Sequence, residues 1–340
     1  MRPSQRMVFF CACLAFSLVF LEIYARSRLG STPAGQALSR YQPYGRAHAV
    51  FLGSSLTDAG IRVGQLDSLQ RMKPDGYRSF NLALAGLSGS DNYYLLFRNF
   101  ILPRSTPRFL VVEAPGIPFF PPAEPFDPMG NALRVESFRT DLMGYADLRY
   151  LADGWPGPAG MLAFWMHKHW RAYHYRLELQ ARLRERLQGW ERNKPADAVN
   201  SYRMATDAYA RFAEGTREHI RRLEIPGEGM RTLHGRNAHL LDLAAAANAA
   251  GVRLVVLKPP CPPMDQVTAR SRAFAEYLRG FKSVCDSLGV AYLDLSLEEE
   301  CGPYSYSDGI HLDVAGAEAF TACVSRMLPL PLPQPLISRP

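Results

Sequence analysis

The feature that most constrains this chain is a rhythm of short apolar runs, each closing on a glycine- or proline-rich turn and followed by helical spacing. His48-Ala49-Val50-Phe51-Leu52 runs into Gly53-Ser54-Ser55. Tyr77 to Leu84 runs into Ala85-Gly86, and Arg108-Phe109-Leu110-Val111-Val112-Glu113 into Ala114-Pro115-Gly116. Helical spacing fills Thr57 to Met72 and Asp91 to Ile101. Strand, turn, helix, strand at these intervals predicts right-handed crossovers in a parallel sheet. The rhythm stops near 118 and returns near 235, with a helix over Asn237 to Ala250 and a strand over Val252 to Leu257. A helix over Val267 to Leu288, a strand over Ala291 to Leu295 and a last helix over 314–327, capped by Asp313, complete it. The expected fold class is α/β: a three-layer α/β/α (flavodoxin-like) domain over 45–327, with about five parallel strands and a mainly helical insertion over 118–235. The tail Leu328 to Pro340 is proline-rich and reads as extended.

A sheet of that kind binds ligands beyond the carboxyl ends of its strands. Ser55, Gly86 and the segment after Glu113 all fall there. A serine hydroxyl attacks a carbonyl only when a base takes its proton, and the base needs a carboxylate to hold its tautomer. Ser307-Asp308-Gly309-Ile310-His311-Leu312, about 250 residues further on, offers both from one loop, since a three-residue offset lets the carboxylate of Asp308 approach the ring of His311. Negative charge developing on the carbonyl oxygen needs N–H donors already in place. The backbone amides of Ser55 and Gly86 are candidates, glycine permitting close approach. Ser54 is the rival nucleophile and a candidate substrate contact, as are Asn92 and Lys258. Asp58 reads as a helix cap or loop-ordering residue.

Three of these segments resemble, in order, the conserved blocks of the SGNH (GDSL-like) hydrolase family. Gly53-Ser54-Ser55-Leu56-Thr57-Asp58-Ala59-Gly60 is similar to the first block, with Ser55 in the nucleophile position and Ser54 where the family has aspartate. Asn81-Leu82-Ala83-Leu84-Ala85-Gly86 is similar to the second, which implies that the Gly86 amide joins an oxyanion hole. Ser307-Asp308-Gly309-Ile310-His311 is similar to the last, which implies a triad of Ser55, His311 and Asp308. The third block departs: the family's Gly-x-Asn-Asp is replaced by Gly116-Ile117-Pro118-Phe119, without the asparagine donor. Loss of one such donor costs about a hundredfold in rate, so another group, such as Asn92, must substitute or the enzyme is slow. The resemblance implies a serine esterase or O-acyltransferase that needs no cofactor and no metal.

At the other end, Arg2 and Arg6 precede an apolar run from Met7 to Leu21, interrupted by Glu22 before Ile23 and Tyr24. A spanning helix needs about 20 apolar residues, so 1–25 reads as a signal-anchor or a cleaved signal, followed by a linker over 26–44. Either reading exports the globular part, to the periplasmic or extracytoplasmic side of the inner membrane. An anchor followed by such a domain resembles the membrane-tethered DltD-like and alginate-acetylation-type branch. That branch implies acylated carbohydrate or another envelope polymer as substrate and a membrane-bound O-acyltransferase as partner. The alternative is a catalytically silent glycan-binding or scaffold subunit of an envelope acylation complex.

The net charge of +7 over 340 residues is moderate, and without finger spacing or an RNA-binding signature it points to no nucleic acid. Among six cysteines, Cys11 and Cys13 lie in the apolar run. Cys261, Cys285, Cys301 and Cys323 show no CxxC spacing; a Cys261–Cys301 disulfide and free thiols both fit. His167, His169 and His174 lack a nearby carboxylate or cysteine and read as aromatic-stacked or solvated rather than as metal ligands. The run Arg171 to Lys194 interleaves arginines with leucines and reads either as a solvated helix face or as a surface for anionic headgroups or glycans.

Overall fold

Five strands form one sheet in the order β2-β1-β3-β4-β5, with all neighbours parallel. They are β1 (Ala47–Leu52), β2 (Arg78–Asn81), β3 (Phe109–Glu113), β4 (Arg253–Lys258) and β5 (Ala291–Asp294). In this computed structural model the described residues are 3–28, 38, 41, 47–70, 78–84, 89–114, 142, 144, 147, 157–174, 239–261, 272–296 and 301–328. The chain divides into two compact units, Met1–Gln42 with Ala123–Ser201, and Pro43–Pro122 with Tyr202–Pro340.

The sheet belongs to the second unit. β1 and β3 are buried at every position, the continuous apolar pattern of parallel strands covered on both faces. One face packs Ala49, Phe51, Phe109, Val111, Val255 and Leu257 against Ile61, Leu66, Phe320, Cys323 and Val324. Ile61 follows α2 (Ser55–Gly60), Leu66 belongs to α3 (Val63–Leu69), and the other three come from α9 (Val314–Met327). Side chains alternate along a strand, so Val256 and its β5 partner Tyr292 point to the opposite face. There α4 (Ser90–Leu96), α7 (Leu240–Ala249) and α8 (Arg272–Ser287) complete the third layer; Phe281 of α8 meets Tyr292 edge-on at 5.8 Å. The three-layer α/β/α architecture is thus the one the sequence rhythm predicts.

Four local expectations are corrected. The helix expected over Thr57 to Met72 is two helices, broken at Ile61-Arg62. Thr321 of α9 receives the Arg62 amide (3.0 Å) and donates to the Gly60 carbonyl (3.1 Å), satisfying the groups the break frees. The second strand is four residues rather than Tyr77 to Leu84. Leu82 and Leu84 still donate to Phe51 and Gly53 carbonyls. The Asn81 side chain, however, donates to the Thr57 and Ile61 carbonyls and accepts from Ala83, bending the chain away. Asp58 is exposed in the first turn of α2, whose cap is Ser54. Finally, Cys301 pairs with Cys323 (Cα–Cα 5.6 Å) and not with Cys261, which is a free thiol whose carbonyl accepts from Tyr306. The loop that carries Cys301 lies on α9, where Cys323 is buried.

In the first unit, α1 (Pro3–Arg28) holds one stretch, Met7–Arg26, long and apolar enough to cross a membrane. It exposes Phe9, Phe10, Phe16 and Phe20. Its carboxyl end packs on α6 (Arg171–His174), which follows α5 (Gly157–His169). Ala25 and Ala172 are buried together under Trp170, and Glu22 accepts from the Ala172 amide (2.8 Å) and from Arg26 (2.7 Å). His167 meets Tyr173 edge-on and His169 leans on Trp165, the aromatic stacking expected of these histidines. Most of the Arg-Leu run after His174 and the segments 115–141 and 175–238 lie outside the described residues, as does the tail from 329.

Candidate active site

β1 delivers its chain to a tight turn, Gly53-Ser54, from which α2 starts at Ser55. Ser54 caps the helix by accepting from Leu56 N (3.2 Å). The turn is tied to the neighbouring strand by Glu113, the last residue of β3, which is 3% exposed. The Glu113 carboxylate accepts from the Ser54 hydroxyl at 2.7 Å and the Ser54 amide at 2.9 Å. It also accepts from the Thr57 hydroxyl at 2.5 Å and the Thr57 amide at 3.3 Å. Gly53 is required by this crowding, because a Cβ there would overlap the Thr57 side chain and the Glu113 carboxylate. Asp58 donates to the Ser54 carbonyl. Of the five amides from Ser54 to Asp58, only that of Ser55 has no partner among the described residues.

The second half of the site is the loop between β5 and α9. Tyr306 and Leu312 form an isolated antiparallel bridge, and Ser307 N donates to the His311 carbonyl (2.9 Å). Inside that narrow hairpin one Asp308 oxygen accepts from the amides of Ile310 (2.7 Å) and His311 (2.6 Å). The base of the loop is fixed to α9 by Asp313, which caps the helix at Gly316 N (2.8 Å) and accepts from the Ser305 hydroxyl (2.6 Å). Gly316 permits the approach, since a Cβ there would overlap the Ser305 carbonyl oxygen.

The two halves meet at His311. Its Nδ1–H donates to the free oxygen of Asp308 at 2.8 Å, and its Nε2 accepts from the Ser55 hydroxyl at 3.0 Å, across 256 residues of sequence. The Asp308 bond fixes this tautomer. The side chains of His311 and Asp308 are 10% and 7% exposed. Burial alone would raise the Asp308 carboxyl, but the His311 ring and the two amides outweigh it and hold it below the usual aspartate value. The carboxylate is therefore available to stabilise a charged imidazole. Such a chain can remove the Ser55 proton, hold it on the ring and return it to a leaving group.

Ser55, His311 and Asp308 are thus brought together, each within hydrogen-bond distance of the next. Ser54 is one residue away but turned to Glu113. Asn92 is buried in α4 and Lys258 is buried at the carboxyl end of β4. Gly86 lies outside the described residues, as does Gly116-Ile117-Pro118-Phe119. Sequence reasoning missed Glu113, whose only signal is an acidic residue closing an otherwise apolar strand. It also missed the Ser305–Asp313 bond and the Cys301–Cys323 bridge that bracket the His311 loop.

No protein-family model and no curated protein matches this chain. Among solved structures it is similar to TesA, at 14% identity and a TM-score of 0.38, covering 82% of this chain and 95% of that one. It is also similar to a catalytic mutant of Axe2, an acetylxylan esterase from Geobacillus stearothermophilus, at 13% identity and a TM-score of 0.39, covering 82% and 93%.

Proposed function

We propose that this protein is a serine esterase or O-acyltransferase of the SGNH type, in which Ser55 attacks the carbonyl of an acyl ester. The observation that carries this reading is the continuous chain from Ser55 Oγ through His311 to Asp308, at 3.0 and 2.8 Å. His311 takes the Ser55 proton as the tetrahedral adduct forms, and Asp308 stabilises the resulting imidazolium. The proton then passes to the departing alkoxide, leaving an acyl-serine. A water or a sugar hydroxyl, deprotonated by His311, releases the acyl group in the second half. The Ser55 amide, left unpartnered by its neighbours, donates to the oxyanion. The Gly86 amide is the second donor we assign, by its place just after β2.

The same proposal makes α1 a retained single-pass anchor, with the α/β unit on the extracytoplasmic side and an acylated envelope glycan as substrate. Packing of Ala25 and Glu22 against α6 supports retention, because removing α1 would strip α6 of both partners. A fluorophosphonate probe on the full chain tests the chemistry: wild type labels and Ser55→Ala does not. A folded wild type that stays unlabelled would leave the silent binding-subunit reading instead. Acyl release measured with and without a sugar acceptor then separates hydrolysis from transfer.

A further inference from the structure

Glu113 has no part in the proton relay, yet it is heavily hydrogen-bonded beside it. Four donors from two residues of the Ser55 turn converge on its carboxylate, from a strand 56 and 59 residues away in sequence. The pattern is specific in two respects. Both hydroxyls flanking Ser55, those of Ser54 and Thr57, have their protons committed to Glu113, so that the Ser55 hydroxyl alone faces the imidazole. Two of the N–H groups at the start of α2, those of Ser54 and Thr57, are also consumed; of the two between them, Leu56 donates to Ser54 Oγ and Ser55 is left open. An apolar packing residue could fill this space but could accept none of these bonds.

We propose that Glu113 is the positioning residue of the Ser55 turn. It selects Ser55 over Ser54 as the reactive hydroxyl and leaves the Ser55 amide as the donor to the oxyanion; this rests on the esterase reading. Four acceptor sites are needed, which a carboxylate supplies and an amide does not. In Glu113→Gln the side-chain NH2 cannot face the Ser54 and Thr57 amides, so it must replace the oxygen that accepts from the Ser54 hydroxyl. That frees the Ser54 proton and loosens one side of the turn. Small misplacements of a reacting atom cost up to about a hundredfold in rate.

The test uses the full chain, a fluorophosphonate probe and a small acyl ester. Glu113→Gln is expected to lower kcat and the labelling rate about tenfold while leaving KM within twofold. Thr57→Val, which removes one hydroxyl donor, is expected to give a smaller loss. In a double-mutant cycle the Ser54→Ala and Glu113→Gln losses should be strongly less than multiplicative, because both break one bond. A residue that only stabilised the fold would shift the urea midpoint and leave the rate of the folded fraction unchanged. Wild-type labelling and kcat in a folded Glu113→Gln, with labelling still abolished by Ser55→Ala, would overturn the positioning proposal and spare the esterase. A multiplicative cycle would also overturn it. Absence of labelling in wild type would overturn both.

Discussion

The two turns that build the site are held by opposite means. The Ser55 turn is short and makes few bonds within itself; its restraint comes from Glu113 on another strand and from Thr321 on α9. The His311 loop is held by its own residues: the Tyr306–Leu312 bridge, the Asp308 amide bonds, and the Ser305–Asp313 pair. A disulfide to α9 then closes it at one end. A nucleophile turn of this kind depends on the assembled sheet, whereas the base loop carries its geometry with it.

Removing the base should have the largest effect. His311→Ala is expected to reduce kcat by about 10⁴-fold or more, measured on the folded variant with a small acyl ester. Asp308→Asn keeps the shape but loses the charge and the tautomer control, so a loss of about 10³–10⁴ is expected. Restoring most of the activity at high pH in that variant would contradict the orienting role.

Next comes the anchorage of the loop. Gly316→Ala forces a methyl onto the Ser305 carbonyl, which should destabilise the unit by about 1–3 kcal/mol in urea titration. Labelling of Ser55 in the folded fraction should slow as well, since the loop must shift. Reducing the bridge with a Cys323→Ser variant removes a closure spanning 22 residues, worth roughly 3 kcal/mol in stability. If the loop is self-held as described, the remaining folded protein should keep most of its kcat. A collapse of kcat without a change of fold would erase the contrast between the two turns.

The smallest effect on catalysis comes from a pH dependence of stability in the sheet itself. His48 is fully buried in β1, and burial, with Arg108 nearby, lowers its value from 6.5 to about 4. The folded state therefore binds fewer protons than the unfolded state between those values. The stability this group contributes is complete above about 6.5 and lost as pH falls towards 4, roughly 2–3 kcal/mol in all. His48→Leu should flatten that slope in urea midpoints measured from pH 7.5 to 4.5. The lowered Asp308 has the same sign but acts below the ordinary aspartate range, so the two contributions separate along the pH axis.

This contrast also explains what could be read in advance. The strands and layers followed from apolar runs ending in turns, because parallel strands covered on both faces leave a plain pattern; the order of strands in the sheet did not. The Asp308–His311 pair was legible because its restraints lie within a few residues, and Asp313 was legible as a cap for the same reason. Glu113 was not, since its meaning depends on β1 and β3 being neighbours, which no local pattern states. The break at Ile61-Arg62 was hidden for a similar reason: the mixed helical spacing marks no boundary there, and Thr321 arriving from α9 satisfies the groups that the interruption frees. Cys301 likewise had several partners available until α9 was laid against its loop.

The separation of 256 residues between Ser55 and His311 has a consequence during biosynthesis. Synthesis at about 5–20 residues per second leaves an interval on the order of 10 to 50 seconds between the two. Throughout that time Ser55 lacks His311, the imidazole placed to accept its proton. α9 docks on α2 and α3 through Thr321 and the Glu318–Arg62 and Ser325–Gln70 contacts, so its docking is what seats the His311 loop against Ser55. The Ser55–His311 pair is therefore expected to form only after α9 has folded back onto α2 and α3.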